Sequence, residues 1–193
     1  MQSRAIWTVG HSNHPLETFA QLLLLHQIEV IVDVRSHPYS RIAPHYGREQ
    51  LAVALTGLGL EYMFMGVELG GRPSNEDHYD EEGHALYEPM SQEPAFCAAI
   101  EALIAGSAEK RIALLCSEAD PEFCHRRLLV GKVLAERDTQ LRHILGDASI
   151  VAEQSVALPP YTRQQSIFGA QEQRWRSTQS VLRRRAQSTS SID

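Results

Sequence analysis

The segment 112–126 concentrates the side chains that could carry out chemistry. Within it lie two of the three cysteines of the chain, Cys116 and Cys124, together with Glu118 and His125. Thiols and imidazoles act as nucleophiles, as general acids and bases or as metal ligands, and a carboxylate accepts protons. These residue types are compatible with three kinds of site: a metal centre, a catalytic thiol, and a pocket for a polar ligand.

A metal centre is the interpretation that the spacing favours least. Ligand atoms are offered by Cys116, Cys124, His125 and His11, but the chain has no paired C-x2-C motif. Cys124 and His125 are also neighbours on a predicted helix, where adjacent side chains diverge by about 100°. We therefore predict no metal and no cofactor.

A catalytic thiol, Cys116 or Cys124, defines the second interpretation, a thiol-dependent transferase or phosphatase. The run Val32-Asp-Val-Arg35 resembles the second-strand motif of rhodanese-like domains. A cysteine phosphatase, however, needs an arginine six positions after its nucleophile, and for Cys116 that position is Glu122. The acids around this loop would also repel an anionic substrate.

The third interpretation, which we favour, treats the cysteines as small buried packing residues beside a polar pocket. The phosphate or carboxylate of the ligand would be held by Arg35, Arg72 and Arg126. Acid–base catalysis, or contacts to a base or sugar, would involve His11, Asp33 and Glu118. This interpretation predicts that the protein binds or processes a nucleotide or a nucleic-acid-derived anion.

The elements that position these residues alternate along the chain as apolar strands and amphipathic helices. Strands are predicted at 6–9, 28–34, 60–65 and 112–115, with a short last strand at 143–145 or 149–152. Helices are predicted near 15–26, 47–58, 94–105 and 120–137, the last beginning at Asp120-Pro121-Glu122. Such alternation predicts a parallel sheet. The expected fold class is therefore α/β: a single Rossmann-like domain with a mostly parallel sheet of about five strands and helices on both faces.

Polar residues follow the predicted strands at their carboxyl ends, which share one edge of a parallel sheet. Ligands of open α/β sheets bind outside that edge. The predicted catalytic residues are His11, Asp33, Cys116, Glu118 and Cys124. The predicted ligand-binding residues are Ser12, Asn13, Arg35, Ser36, Glu68, Gly70, Gly71, Arg72, His125 and Arg126. An enzyme, either a hydrolase or a transferase acting on a nucleotide-like substrate, is the class that this arrangement favours.

The α/β domain is predicted to span residues 1–158. Within it, the segment 66–93 has seven acids between Glu76 and Glu93 and little periodicity, which is typical of a binding loop or a lid. The prolines of Leu158-Pro-Pro160 indicate the end of the domain. Residues 159–193, rich in Gln, Arg and Ser, are predicted to form a flexible tail.

The overall composition, 43% hydrophobic and 22% charged with a net charge of −6, is that of a globular protein. No apolar run approaches the ~20 residues of a membrane span, so we expect no membrane partner. The first residues lack the basic start and apolar core of a secretion signal. An odd number of cysteines in such a chain favours reduced thiols and a cytoplasmic location.

Four motifs together resemble the widespread bacterial family called domain of unknown function 488. They are Thr8-Val-Gly-His-Ser-Asn13, Val32-Asp-Val-Arg-Ser36 followed by Pro38, Glu68-Leu-Gly-Gly71, and Cys116-Ser-Glu-Ala-Asp-Pro-Glu-Phe-Cys-His-Arg126. The resemblance extends in order over roughly residues 5–150. It implies a single α/β domain whose shared polar motifs line one pocket, and it implies no particular reaction.

A second resemblance lies in the tail. The run Gln164-Gln-Ser-Ile-Phe168 is similar to the pentapeptide with which bacterial proteins bind the sliding clamp: Gln164 would enter a polar niche, and Ile167 and Phe168 an apolar cleft. Residues 161–193 also contain six arginines and two acids, which favours weak contact with nucleic acid. Clamp binding would indicate a role in DNA maintenance or DNA repair. A non-catalytic adaptor recruited by this peptide is the alternative from the class of binding proteins.

Overall fold

The computed structural model describes residues 5–39, 41, 43–157 and 174–182. Strands form a six-stranded sheet in the spatial order β3-β2-β4-β1-β5-β6. Their bounds are Ala5–Gly10 (β1), Val30–Asp33 (β2), Glu61–Phe64 (β3), Ile112–Cys116 (β4), Gln140–Ile144 (β5) and Ile150–Ala152 (β6). Strands β1 to β5 run parallel, and β6 pairs antiparallel with β5. The predicted α/β class is confirmed, with six strands instead of about five because both candidates for the last strand form.

Helices cover both faces of the sheet, as predicted. Their bounds are Leu16–Leu25 (α1), Arg48–Gly57 (α2), Tyr87–Gln92 (α3), Pro94–Gly106 (α4) and Lys132–Glu136 (α5). A π-helical segment, Arg126–Gly131, leads directly into α5. Helices α1 and α2 pack on one face, and α3, α4, the π-helical segment and α5 pack on the other.

Strand β4 shows why the sheet needs cover on both sides. All of its residues are buried. Ala113 and Leu115 belong to the core beneath α1 and α2, whereas Ile112 and Leu114 belong to the core beneath α4 and α5. A strand between two other strands, with helices above and below, has no solvent-facing side and is therefore apolar throughout.

The helix predicted over 120–137 begins later than expected. Asp120 Oδ1 accepts a hydrogen bond from the backbone N–H of Glu122 at 2.8 Å, which closes a turn instead of capping a helix. Cys124 N–H then donates to the carbonyl of Pro121, and the carbonyl of Cys124 accepts from Leu128 N–H at 2.9 Å. Helical structure therefore starts only after Cys124.

The segment 66–93 contains more structure than a plain loop. It includes helix α3, a short 3-10 turn at Glu76–His78 and a bridge between Tyr79 and Ala85. Leu86 in turn pairs with Arg176, which lies in the described segment 174–182.

Residues 174–182, which the sequence assigns to the tail, pack against the domain. The indole N–H of Trp175 donates to the carbonyl of Leu128 at 2.7 Å, and Ser177 N–H donates to the carbonyl of Ala85 at 2.8 Å. No helix among the described residues is long and apolar enough to cross a bilayer.

Candidate functional site

The carboxyl ends of β1, β2 and β4 lie side by side and bring three polar segments together. His11 N–H, just after β1, donates to the carbonyl of Cys116 at the end of β4 at 3.0 Å. On the other side of β4, Val34 N–H donates to the carbonyl of Leu115 at 3.1 Å. Side chains that follow these strands therefore share one edge of the sheet, which is the arrangement that a parallel sheet imposes.

Four side chains at the end of β4 form what we call the β4 cluster: Cys116, Glu118, Cys124 and His125. One ligand atom from each lies within 4.8 Å of the others. Both thiols donate to Glu118 Oε2, at 2.6 Å from Cys116 and 3.1 Å from Cys124. Nδ1 of His125 lies 3.7 Å from the sulfur of Cys116 and 3.9 Å from that of Cys124.

The ring of His125 is held so that one nitrogen faces the thiols. Its Nε2 lies 2.9 Å from the carbonyl oxygen of Val34, an acceptor, so Nε2 carries a proton. In the neutral ring, Nδ1 then presents a lone pair to the cluster. Gly71 packs against the ring, and a Cβ added there would lie 2.6 Å from Cγ of His125. A ring fixed by a backbone carbonyl, with its second nitrogen turned towards the other ligand atoms, is the usual arrangement of a metal-binding histidine.

The two thiols of the β4 cluster differ in acidity because a negative charge on one disfavours ionisation of the other. Burial, together with the hydrogen bond and negative charge of Cys124, raises the pKa of the Cys116 thiol well above its usual range. Burial alone would also raise the pKa of Cys124. Its hydrogen bond with Cys116 and the charges of Arg126 and His125 outweigh that effect and hold the pKa of Cys124 well below its usual range.

Arg126 shapes the cluster without being exposed. Its side chain is completely buried and donates to the carbonyls of Glu118 and Ala119, at 2.7 and 3.0 Å, and to Thr8 Oγ1 at 3.3 Å. The loop that it holds lies close over Gly10, where an added Cβ would be 1.8 Å from the carbonyl oxygen of Glu118. Arg126 therefore positions the loop and supplies positive charge beside the thiols.

The geometry of the β4 cluster agrees with a tetrahedral metal site. An ion with bonds of about 2.3 Å to sulfur and about 2.0 Å to nitrogen separates those two ligands by about 3.6 Å, close to the distances from His125 to both thiols. The carboxylate oxygen of Glu118 lies nearer to the sulfurs and would have to retreat by about 1 Å. Adjacent positions on a helix would make the side chains of Cys124 and His125 diverge, which counts against a metal. That premise is wrong, because Cys124 precedes the helix and both side chains reach the same point.

A second polar group, which we call the β2 network, surrounds Arg35. Its guanidinium donates to both carboxylate oxygens of Asp33, at 2.8 and 2.6 Å, and lies 3.0 Å from Nε2 of His11. Tyr62 O–H donates to Asp33 at 2.6 Å, and Nδ1 of His11 lies 2.8 Å from the carbonyl of Ser12. Asp33, Arg35 and His11 are buried.

The polar groups of the β2 network form hydrogen bonds mainly with one another. Because Nε2 of His11 accepts from Arg35, its lone pair is occupied, and burial followed by the charge of Arg35 lowers the pKa of His11 from 6.5 to about 4. The carboxylate of Asp33 is likewise fully engaged. The acceptor atoms of Asp33 and His11 are therefore already used within the network. The guanidinium of Arg35 is likewise paired with the carboxylate of Asp33.

Two tyrosines belong to this region although the sequence analysis did not include them. Tyr62 donates to Asp33, and Tyr46 stacks on His11 with ring centroids 4.0 Å apart. Tyr62 lies in β3, next to β2 in a parallel register, so its position follows once the strand order is known. Tyr46 lies in a short 3-10 turn, and no local pattern predicts its contact with the ring.

The remaining predicted ligand-binding residues line the rim of the same edge. Ser36 Oγ accepts from the backbone N–H of Arg72 at 2.9 Å, and Gly70 packs so close that an added Cβ would lie 2.3 Å from that oxygen. Asn13 and Arg72 are exposed, and Ser12 and Glu68 are half-buried. The predicted clamp-binding residues Gln164, Ile167 and Phe168 lie outside the described residues.

Comparison with known proteins returned a single finding. A family model described as "Domain of unknown function DUF488" matches residues 15–133, more than half of the chain. The matched range includes β2, β3, β4 and the whole β4 cluster. No curated protein and no solved structure matches the chain.

Proposed function

Because the chain belongs to the DUF488 family, whose description names no reaction, we propose a function from the chemistry of its own site. The β4 cluster binds one transition-metal ion, zinc by its set of donors, and this ion is the reaction centre of an enzyme. Two thiolates and an imidazole are ligands that favour zinc over the harder ions magnesium and calcium.

The observation that carries the proposal is the convergence of four ligand atoms within 4.8 Å, one of them a histidine nitrogen with its lone pair turned inward. Cys116 and Cys124 are only 3% and 1% exposed. Buried thiolates need a compensating cation, and a bound ion supplies that charge at the centre of the cluster. The ion would polarise an oxygen of the substrate as a Lewis acid.

The substrate class that we propose is the one predicted from the sequence, an anionic and nucleotide-like molecule handled by a hydrolase or transferase. Fewer arginines support this substrate class than the three predicted from the sequence. Arg35 and Arg126 already bind other groups of the protein. Of the three predicted arginines, Arg72 is the one with an exposed side chain at the rim. A role in DNA maintenance depends on the tail peptide alone and stays a prediction.

The metal content of the purified protein tests the proposal directly. Protein prepared with a reductant and without a chelator should contain about one zinc ion per chain, and Cys116→Ser and Cys124→Ser should each remove most of it. Adding zinc back to the stripped protein at a hundred times its dissociation constant should stabilise the fold by about 2.7 kcal/mol, visible as a rise in melting temperature.

Cys97 provides the matched control. Its thiol is half-buried and donates to the carbonyl of Ser91 at 3.4 Å, away from the β4 cluster. Cys97→Ser should therefore retain full metal content. A reduced wild-type chain with no zinc and no thermal response to added zinc would rule the proposal out.

The second candidate function is the thiol-dependent transferase, which the ion-pair environment of Cys124 and His125 favours. A nucleophilic thiolate must be reached by its substrate, and both cluster thiols are almost fully buried. We therefore expect slow alkylation of Cys116 and Cys124 by iodoacetamide at neutral pH. Rapid modification of Cys124 in the metal-free protein would favour the transferase instead.

A further inference from the structure

Glu118 differs from the other members of the β4 cluster in its exposure. Cys116 and Cys124 are 3% and 1% exposed and His125 is half-buried, whereas Glu118 lies on the surface. All of residues 117–120 are exposed. Solvent and small molecules therefore approach the cluster from the side of Glu118.

The backbone of Glu118 is held in place, but its side chain has few anchors. The carbonyl accepts from Arg126 at 2.7 Å, and the loop packs over Gly10. Among the described residues, the hydrogen bonds to its carboxylate come from the two cluster thiols. When the thiols bind an ion they lose their protons, so these hydrogen bonds disappear and the ion becomes the partner of the carboxylate.

The charge of the cluster indicates which kind of donor can replace the carboxylate. An ion held by two thiolates, one carboxylate and a neutral imidazole carries one net negative charge. Without the carboxylate that centre is neutral, and the buried guanidinium of Arg126 remains beside Cys124. A position next to a buried cation favours an anionic donor over a neutral one.

We propose that Glu118 is an exchangeable ligand: it occupies the fourth position on the ion in the resting protein and leaves that position to an anionic oxygen or sulfur of the substrate. This inference rests on the metal centre proposed above. The two buried thiolates and His125, fixed by Val34, keep the ion in place during the exchange. Three fixed protein ligands and one position open to substrate are the arrangement of a catalytic zinc site.

Cobalt(II) reconstitution tests the exchange because the visible spectrum of cobalt reports its coordination. Wild-type protein and Glu118→Gln are loaded with cobalt and titrated with inorganic phosphate and with thiocyanate. We expect Glu118→Gln to retain cobalt with an altered visible spectrum. If the carboxylate is bound about 90–99% of the time, its removal should tighten anion binding about 10- to 100-fold. Glu118→Asp, which shortens the reach of the carboxylate, should have an anion affinity between those of the wild type and Glu118→Gln.

Glu122→Gln is the matched control, since it removes the same charge from the same loop without touching the β4 cluster. It should leave the cobalt spectrum unchanged and anion affinity within about twofold of wild type. An equal gain in anion affinity in Glu122→Gln and Glu118→Gln would overturn the proposed exchange. A Glu118→Gln protein with the cobalt spectrum and anion affinity of the wild type would also overturn it. Failure of wild-type protein to bind cobalt would instead overturn the metal centre itself. Melting curves of the metal-free proteins establish that each variant is folded.

Discussion

Replacing Asp33 by Asn should destabilise the protein strongly, although the sequence places this residue among the catalytic candidates. Asp33 is completely buried and accepts hydrogen bonds from Arg35 at 2.8 and 2.6 Å and from Tyr62 at 2.6 Å. Asn keeps the shape but leaves a buried guanidinium without a counter-charge. Breaking a buried ion pair in this way costs about 3–5 kcal/mol.

A double-mutant cycle separates the pair from the cost of each substitution. Arg35→Met alone leaves Asp33 buried without its cation and should also cost about 3 kcal/mol. In the double variant both charges are gone, so its loss should be smaller than the sum of the two single losses by about 2–3 kcal/mol. Urea unfolding followed by circular dichroism measures all four free energies, provided that the slopes remain equal.

A small effect would refute this reasoning. If Asp33→Asn costs less than about 1 kcal/mol, or if the two losses add within about 0.5 kcal/mol, the pair does not stabilise the fold. Catalytic groups are often replaced at little or no cost in stability. That outcome would therefore favour a catalytic role for Asp33 and a ligand-binding role for Arg35.

Three further predictions concern other parts of the molecule. Gly71→Ala should lower zinc content while the chain stays folded, because the added Cβ would lie 2.6 Å from the ring of His125; metal analysis and circular dichroism check this. Trp175→Ala should cost about 2–4 kcal/mol in urea unfolding, since the indole packs on the core and donates to Leu128. Burial lowers the pKa of His11 from 6.5 to about 4, so this side chain is protonated at a lower pH in the folded state than in the unfolded state. The stability that it contributes above pH 6.5 is lost as the pH falls towards 4, by up to about 3 kcal/mol, and His11→Gln should remove that part of the pH dependence of unfolding.

The sequence predicts the sheet well because buried parallel strands are apolar on both faces. The run from Ile112 to Leu115 needs no tertiary information to be recognised, and the residues after it must lie at the carboxyl edge. The convergence of His11, Asp33 and Cys116 follows from the same argument. The partners of each side chain do not follow, because they depend on the strand order and on loops.

The start of the last helix shows where local signals are ambiguous. The run Asp120-Pro121-Glu122 satisfies the rules for a helix N-terminus, but a carboxylate that accepts from the N–H two residues later is equally the closure of an isolated turn. Tertiary packing selects the turn. The choice moves Cys124 out of the helix and into contact with His125, so a local ambiguity hides the most chemically informative cluster of the chain.

The roles of the three arginines could not be predicted from the sequence either. Arg35, Arg72 and Arg126 are indistinguishable as anion-binding candidates in the sequence. In the structure one pairs with Asp33, one is exposed, and one binds two backbone carbonyls. A guanidinium has five donors and accepts carboxylate and carbonyl partners alike, so only the three-dimensional surroundings decide its role.

The order of the strands also bears on how the protein is made. Strand β1 is synthesised first, yet its neighbours are β4 and β5, and β4 separates it from β2. On the ribosome β1 has no partner until β4 emerges, and such long-range pairing folds slowly and exposes unpaired edges to aggregation. The strand that bears Cys116 is thus the one that joins the two parts of the sheet. The thiol cluster therefore cannot form in the nascent chain before β4 and the loop after it have emerged.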